Sequence, residues 1–191
     1  MLRESVPDLG SADSEALFRA YASFVASFLY RLGARDGELE DLVQDVFLTA
    51  HRKGGYRPGA ASPTTYLARL ALEARLARRR RESRWRAAKQ DDAALATVGA
   101  EPSDPSRALA EKQAVLRLQA ALDSIEPGAR AVFVLFELDG ETCESIAAGL
   151  NLKLGTVYSR LHAARRAFRI AVSKSEERER SFGLRRKQET L

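Results

Sequence analysis

Thr156, Ser159, Arg160 and Arg165 recur along one side of a short stretch, and Val157, Leu161, Ala164 and Phe168 along the other. At 3.6 residues per turn the apolar set faces a core and the polar set faces out. Hydroxyls and guanidiniums so placed suit base edges and phosphate oxygens, the chemistry of a helix lodged in a major groove. A second short amphipathic helix precedes it, with a break at Leu150-Asn151-Leu152, so Gly140 to Phe168 has the pattern of a helix-turn-helix. The competing reading is a plain three-helix core with an incidentally polar face. Duplex DNA is the first partner that the stretch implies.

Other reactive side chains are few. One cysteine, Cys143, and two histidines, His51 and His162, make no metal-ligand cluster and allow no intrachain disulfide. No glycine-rich phosphate loop, nucleophile elbow or notable pair of carboxylates occurs. The sequence therefore points away from an enzyme, and no cofactor or metal is expected. Arg78-Arg79-Arg80-Arg81, with Arg84 and Arg86, surrounds the single tryptophan, Trp85. Such a run suits either a solvated helix end or phosphate contact.

The elements that must hold these residues are helical. Periodicity from about Ser11 to Leu32 places Leu17, Tyr21, Phe24, Phe28 and Leu32 on one stripe, with Ser11 or Asp13 as cap and Gly33 as stop. A second helix, Glu38 to Arg52, buries Leu39, Leu42, Val46 and Phe47, and Gly54-Gly55 ends it. Acids crowd its first turn, where they suit the helix dipole. Ser62-Pro63 starts a third helix running to about Ala88, apolar at first and then strongly basic. Periodicity returns from Pro105 to Ile125 through Leu109, Val115, Leu118 and Leu122. Glu126-Pro127-Gly128 then leads into a helix over Ala129–Leu138.

Composition agrees: Leu, Ala, Arg and Glu dominate, which favours helix. The net charge is +5, and its distribution says more. Residues 51–90 hold twelve Lys/Arg against two Glu, whereas residues 91–112 hold five Asp/Glu against two Lys/Arg. A basic block followed by an acidic one suggests a basic surface and a separate tether. The predicted fold class is all-α: two small helical bundles joined by a flexible linker, the second a helix-turn-helix domain. The expected boundaries are 10–89, a linker over 90–106, a second domain over 107–172, and a charged, frayed tail over 173–191. No signal-peptide core or membrane-length apolar run is present, so a soluble cytoplasmic protein without membrane insertion is expected.

Two segments in this order resemble bacterial RNA polymerase sigma factors. Glu40-Asp41-Leu42-Val43-Gln44-Asp45-Val46-Phe47-Leu48 is similar to the signature helix of their region 2. Leu122 through Phe168 resembles region 4, with G-T-V-Y-S-R-L-H-A-A-R close to its recognition helix. With a short linker and no intervening domain, the chain resembles the extracytoplasmic-function (ECF) type over roughly residues 10–170.

The resemblance implies a factor that binds core RNA polymerase and directs promoter recognition and transcription initiation. Asp41, Gln44, Asp45 and Leu48, spaced to share one helical stripe, would dock on polymerase. Tyr56, Tyr66, Arg75, Arg78 and Arg79 would meet the opened promoter strand, where aromatic surfaces catch unstacked bases and cations hold the backbone. Thr156, Tyr158, Ser159, Arg160, His162 and Arg165 would bind the farther upstream element as duplex. Family habit adds an anti-sigma factor as a partner.

The chain also departs from the family pattern. His51 and Tyr66 stand where Trp is common, Pro63 where Phe is frequent, Glu73 where an amide is usual, and Ala163 where Arg is common. Two alternatives therefore stand beside the sigma factor. One is a sigma-like decoy poor at promoter opening; the other is a conventional helix-turn-helix regulator.

Overall fold

The computed structural model describes the backbone of residues 14–88 and 105–188. These residues form α1 (Ser14–Arg31), α2 (Asp36–Arg52), α3 (Pro63–Ala88), α4 (Pro105–Asp123), α5 (Pro127–Phe133), α6 (Cys143–Leu150) and α7 (Leu154–Gln188). The class is all-α, as the composition predicts, with no strand among the described residues. The caps expected at Ser11 or Asp13, and most of the expected linker, lie outside the described residues.

In the first bundle, α1, α2 and α3 pack together. Leu17, Tyr21, Val25, Phe28, Leu42, Val46, Leu67 and Leu70 fill its core. Three chain signals delimit these helices. Gly33 takes φ +90° and stops α1, and Gly54 and Gly55 take φ +81° and +79° after α2. Ser62 opens α3, its Oγ accepting the Thr65 amide at 3.1 Å, with Pro63 at the first helical position.

In the second bundle, α5, α6 and α7 surround Leu122, Val132, Leu135, Ile146, Val157, Leu161 and Ala164. Glu126 caps α5 by accepting the amides of Gly128 and Ala129 at 3.0 and 2.9 Å. Thr142 caps α6 by accepting the Ser145 amide at 3.1 Å. Asn151 then turns the chain in the left-handed region, at φ 54° and ψ 52°. Asn tolerates that conformation because its short polar side chain bonds locally.

Four features differ from the sequence expectation. The stretch after α5 does not continue as α-helix to Leu138: Val134–Leu138 form a π turn, closed by the Asp139 amide on the Val134 carbonyl at 3.1 Å. Val115 and Leu118 lie exposed, because only the end of α4 reaches the core, through Ala121 and Leu122. The tail expected to fray is helical, α7 running on to Gln188. Its Lys, Glu, Arg and Gln residues are good helix formers, so they extend a helix already nucleated on the core from Leu154. Finally, the bundles are packed on one another, α6 and α5 lying against α3.

Candidate polymerase and nucleic-acid interfaces

Asp41, Gln44, Asp45 and Leu48 all lie exposed on one stripe of α2. The opposite side of the helix is anchored by Leu42, Val46 and Phe47, which fixes the stripe's direction. Beside it runs an open apolar groove of about 830 Å³ between α1 and α2, floored by Phe18, Leu39, Val43 and Phe47. Gln44 and Leu48 line that groove. The sequence reading found the polar stripe but missed the groove. Only the pairing of α1 with α2 creates it, bringing Phe18 edge-on to Phe47 at 5.0 Å between ring centroids.

The residues expected at an opened strand divide into two groups. Tyr56 is buried, its hydroxyl donating to the Ala61 carbonyl at 2.8 Å, and its ring lies 5.8 Å from that of Tyr66. Tyr66 is half-buried, and burial pushes its phenol above the usual range, with the Arg69 guanidinium opposing and Glu73 reinforcing. Arg75 turns inward instead: Nη2 donates to the Gly33 carbonyl at 2.8 Å and Nη1 lies 3.4 Å from Glu38. Burial lowers its pKa, against the pull of Glu38 and Glu82. Arg78 sits among Glu38, Asp41 and Glu82, at 3.8, 4.0 and 3.4 Å. Arg79 is exposed. The structure thus brings the two tyrosines together and makes Arg75 a brace between α1, α2 and α3.

On the helix-turn-helix, α7 presents Tyr158, Ser159, His162 and Arg165 outward, while Val157, Leu161 and Ala164 anchor its inner face. Thr156 and Arg160 are half-buried. The Arg160 guanidinium lies over the first turn of α5, 3.1 Å from where a Cβ on Gly128 would stand. Arg165 pairs with Glu137 at 2.6 Å and lies over the Phe136 ring at 5.3 Å. Lys153 in the turn and Arg166 on α7 are also exposed on this side of the chain. The sequence reading omitted both, although Arg166 follows His162 by one helical turn.

Residues 17–86 match the family model of Sigma-70 region 2, and residues 116–168 that of Sigma-70 region 4. Over 159 residues the chain is 34% identical to RNA polymerase sigma factor CarQ of Myxococcus xanthus, covering 80% of this chain and 86% of CarQ. The chain belongs to the sigma-70 family.

This sigma factor is also 34% identical over 161 residues to the ECF RNA polymerase sigma factor SigE of Mycolicibacterium smegmatis. That match covers 84% of this sigma factor and 62% of SigE, so the chain spans less than two thirds of that relative. The ECF type read from the sequence is the type these relatives support. Two solved structures share the fold. The sigma factor RpoE from Bartonella quintana, in complex with the anti-sigma factor NepR, has a TM-score of 0.63 at 19% identity. It covers 82% of this sigma factor and 94% of that chain. CnrH, in complex with the cytosolic domain of CnrY, has a TM-score of 0.56 at 20% identity, covering 84% and 88%. No helix among the described residues is long and apolar enough to cross a membrane.

Proposed function

We propose that this sigma factor binds core RNA polymerase, directs it to a class of promoters and helps open the duplex, the polymerase performing the chemistry. The observation that carries this reading is that one chain of this family exposes two unlike faces. One is the acidic stripe of α2, with Leu48 beside an apolar groove; the other is the polar outer face of α7. The first suits a protein partner, since apolar surface gives affinity and a charged rim gives orientation. The second suits duplex DNA.

In this reading Asp41, Gln44, Asp45 and Leu48 dock on polymerase. Tyr158, Ser159, His162 and Arg165 approach the upstream element, with Thr156 and Arg160 framing the start of the helix. Tyr56, Tyr66, Arg78 and Arg79 serve the element nearer the start site, and Arg75 supports them from within. An anti-sigma partner is part of the proposal, since the solved relatives RpoE and CnrH were each captured with a second protein, NepR and CnrY.

The test is transcription from a pool of genomic promoter fragments by core polymerase, with and without the purified chain, followed by sequencing of the transcripts. Transcripts that need the chain and share two upstream motifs are the expected result. Stable polymerase binding without transcripts would favour the decoy. Neither binding nor transcripts would return the chain to ordinary DNA-binding regulators.

A further inference from the structure

A polar cleft of about 600 Å³ lies between α3, the turn after α1 and the loop that leads into α5. Three arginines converge on it: Arg75 and Arg79, one turn apart on α3, and Arg130 from α5. Two of them are fixed in place. Arg75 donates to the Gly33 carbonyl at 2.8 Å and lies 3.4 Å from Glu38. Arg130 donates through Nη1 to Asp123 at 2.7 Å and through Nη2 to the Ile125 carbonyl at 3.2 Å. Gly33 permits the approach, since a Cβ there would stand 3.3 Å from both Arg130 Nη1 and Asp123 Oδ1.

The cations at this cleft are under-matched. Arg130 is only 4% exposed, and neither its Nε nor that of Arg75 has a hydrogen-bond partner among the described residues. A buried cationic donor left without a partner is costly and calls for an explanation. The carboxylates at hand are already engaged. Asp123 is shared between Arg130 and Arg35, and Glu126 accepts the amides of Gly128 and Ala129. Glu82 lies 3.4 Å from Arg78. Arg79 lines the cleft, is exposed, and has no ion pair among the described residues. Burial is the main force lowering the pKa of Arg75 and of Arg130, and the charges of Arg79 and Arg35 add to it. An anion among these side chains would relieve that repulsion.

We infer that this cleft binds a small molecule bearing a diphosphate group. One phosphoryl group meets the guanidinium of Arg79, whose planar fork suits phosphate oxygens. The other lies against the positive wall made by Arg75 and Arg130. Arg75 and Arg79 start about 6 Å apart along the helix, a span that two phosphoryl groups bridge better than one. Leu32, Ile125 and Pro127 give the cleft an apolar side for whatever the diphosphate carries. The volume is in the range of small-molecule sites. Such a site is independent of promoter binding, in which Arg79 also has a proposed part, so it is read on the free chain without DNA or polymerase.

The test is calorimetric titration of the full chain with inorganic pyrophosphate, with ADP and with sulfate, in physiological salt and without divalent cations. Salt at that level suppresses diffuse attraction to the basic surface. The expected result is saturable one-to-one binding of a diphosphate, roughly tenfold or more tighter than sulfate. Arg79→Ala should weaken it about tenfold, the loss of one charge-assisted phosphate contact. Arg84→Ala removes an equally exposed arginine of α3 from outside the cleft and should leave the affinity nearly unchanged. Both positions are exposed, and circular dichroism checks that helix content is kept. Equal affinity for pyrophosphate and ADP would support the site with the free anion as ligand. Tighter ADP would support it with a nucleotide whose nucleoside lies on the apolar side. Absence of saturable binding by either, sulfate binding as tightly, or equal losses in the two variants would overturn the inference.

Discussion

Arg165 Nε lies 2.6 Å from Glu137 Oε1, so a cation on the outer face of α7 is held by a carboxylate from the π turn. Both side chains are partly exposed, and the pair adds little to stability. Its effect is on direction and charge: if Arg165 meets a phosphate as proposed, a carboxylate beside it opposes DNA. Glu137→Gln is expected to tighten duplex promoter binding by the polymerase complex several-fold. Arg165→Ala is expected to weaken it and to flatten the salt dependence by roughly 0.9 log units per log salt, as for one lost phosphate contact. Binding titrations across a salt series measure both. Unchanged slopes would remove Arg165 from the phosphate contacts.

Asp45→Arg should abolish association with core polymerase in a pull-down while leaving helix content and the melting curve unaltered. Asp45 is exposed on α2 and the helix is held by Leu42, Val46 and Phe47 beneath it, so the substitution disturbs no core packing. Retained association would place the polymerase face elsewhere.

Asn151 gives a backbone test of the helix-turn-helix. Its φ of 54° is strained for a β-branched residue, so Asn151→Val should cost about 1–2 kcal/mol. For a chain of this size that lowers Tm by roughly 2–4 °C per kcal/mol. Asn151→Gly should leave Tm nearly unchanged, since glycine takes this conformation freely. Equal melting of the Val variant and the parent would contradict the left-handed turn.

Cys143 reports on folding through its protonation. Burial pushes the thiol above its ordinary value of 9.0, with Glu144 acting in the same direction and Arg165 opposing. The unfolded chain therefore releases this proton first as pH rises, so the group's contribution is intact below about pH 9 and is lost above it. A thiol reagent at pH 8 should label Cys143 slowly in the native protein and rapidly in denaturant. Cys143→Ala should remove part of the destabilisation seen above pH 9. Fast native labelling at pH 8 would show that α6 opens locally.

Much of this architecture was legible in the chain because local signals carried it. Ser62-Pro63, Glu126-Pro127 and the glycines at 33, 54 and 55 mark helix ends through capping and φ alone, and the structure uses each of them. The helix-turn-helix was legible for the same reason, its apolar spacing and its turn agreeing. Contacts between distant segments were not legible. Arg75 looks like its basic neighbours in sequence, and only the arrival of Gly33 and Glu38 turns it inward. Phe18 looks like any helical aromatic until α2 brings Phe47 beside it. The close approach of Gly149 to Thr65 joins residues far apart in the chain, and a lone helical glycine does not announce its neighbour.

The π turn at Val134–Leu138 has a mechanical consequence. Glu137 within it grips Arg165 on α7, and Asp139 directly after it grips Arg31 on the first bundle. An α-helix advances about 100° per residue, so winding this wide turn into regular α-helix by deleting one residue would swing both carboxylates round the axis together. Neither would then face its arginine. The turn thus ties the outer face of α7 to the first bundle through carboxylates only two residues apart.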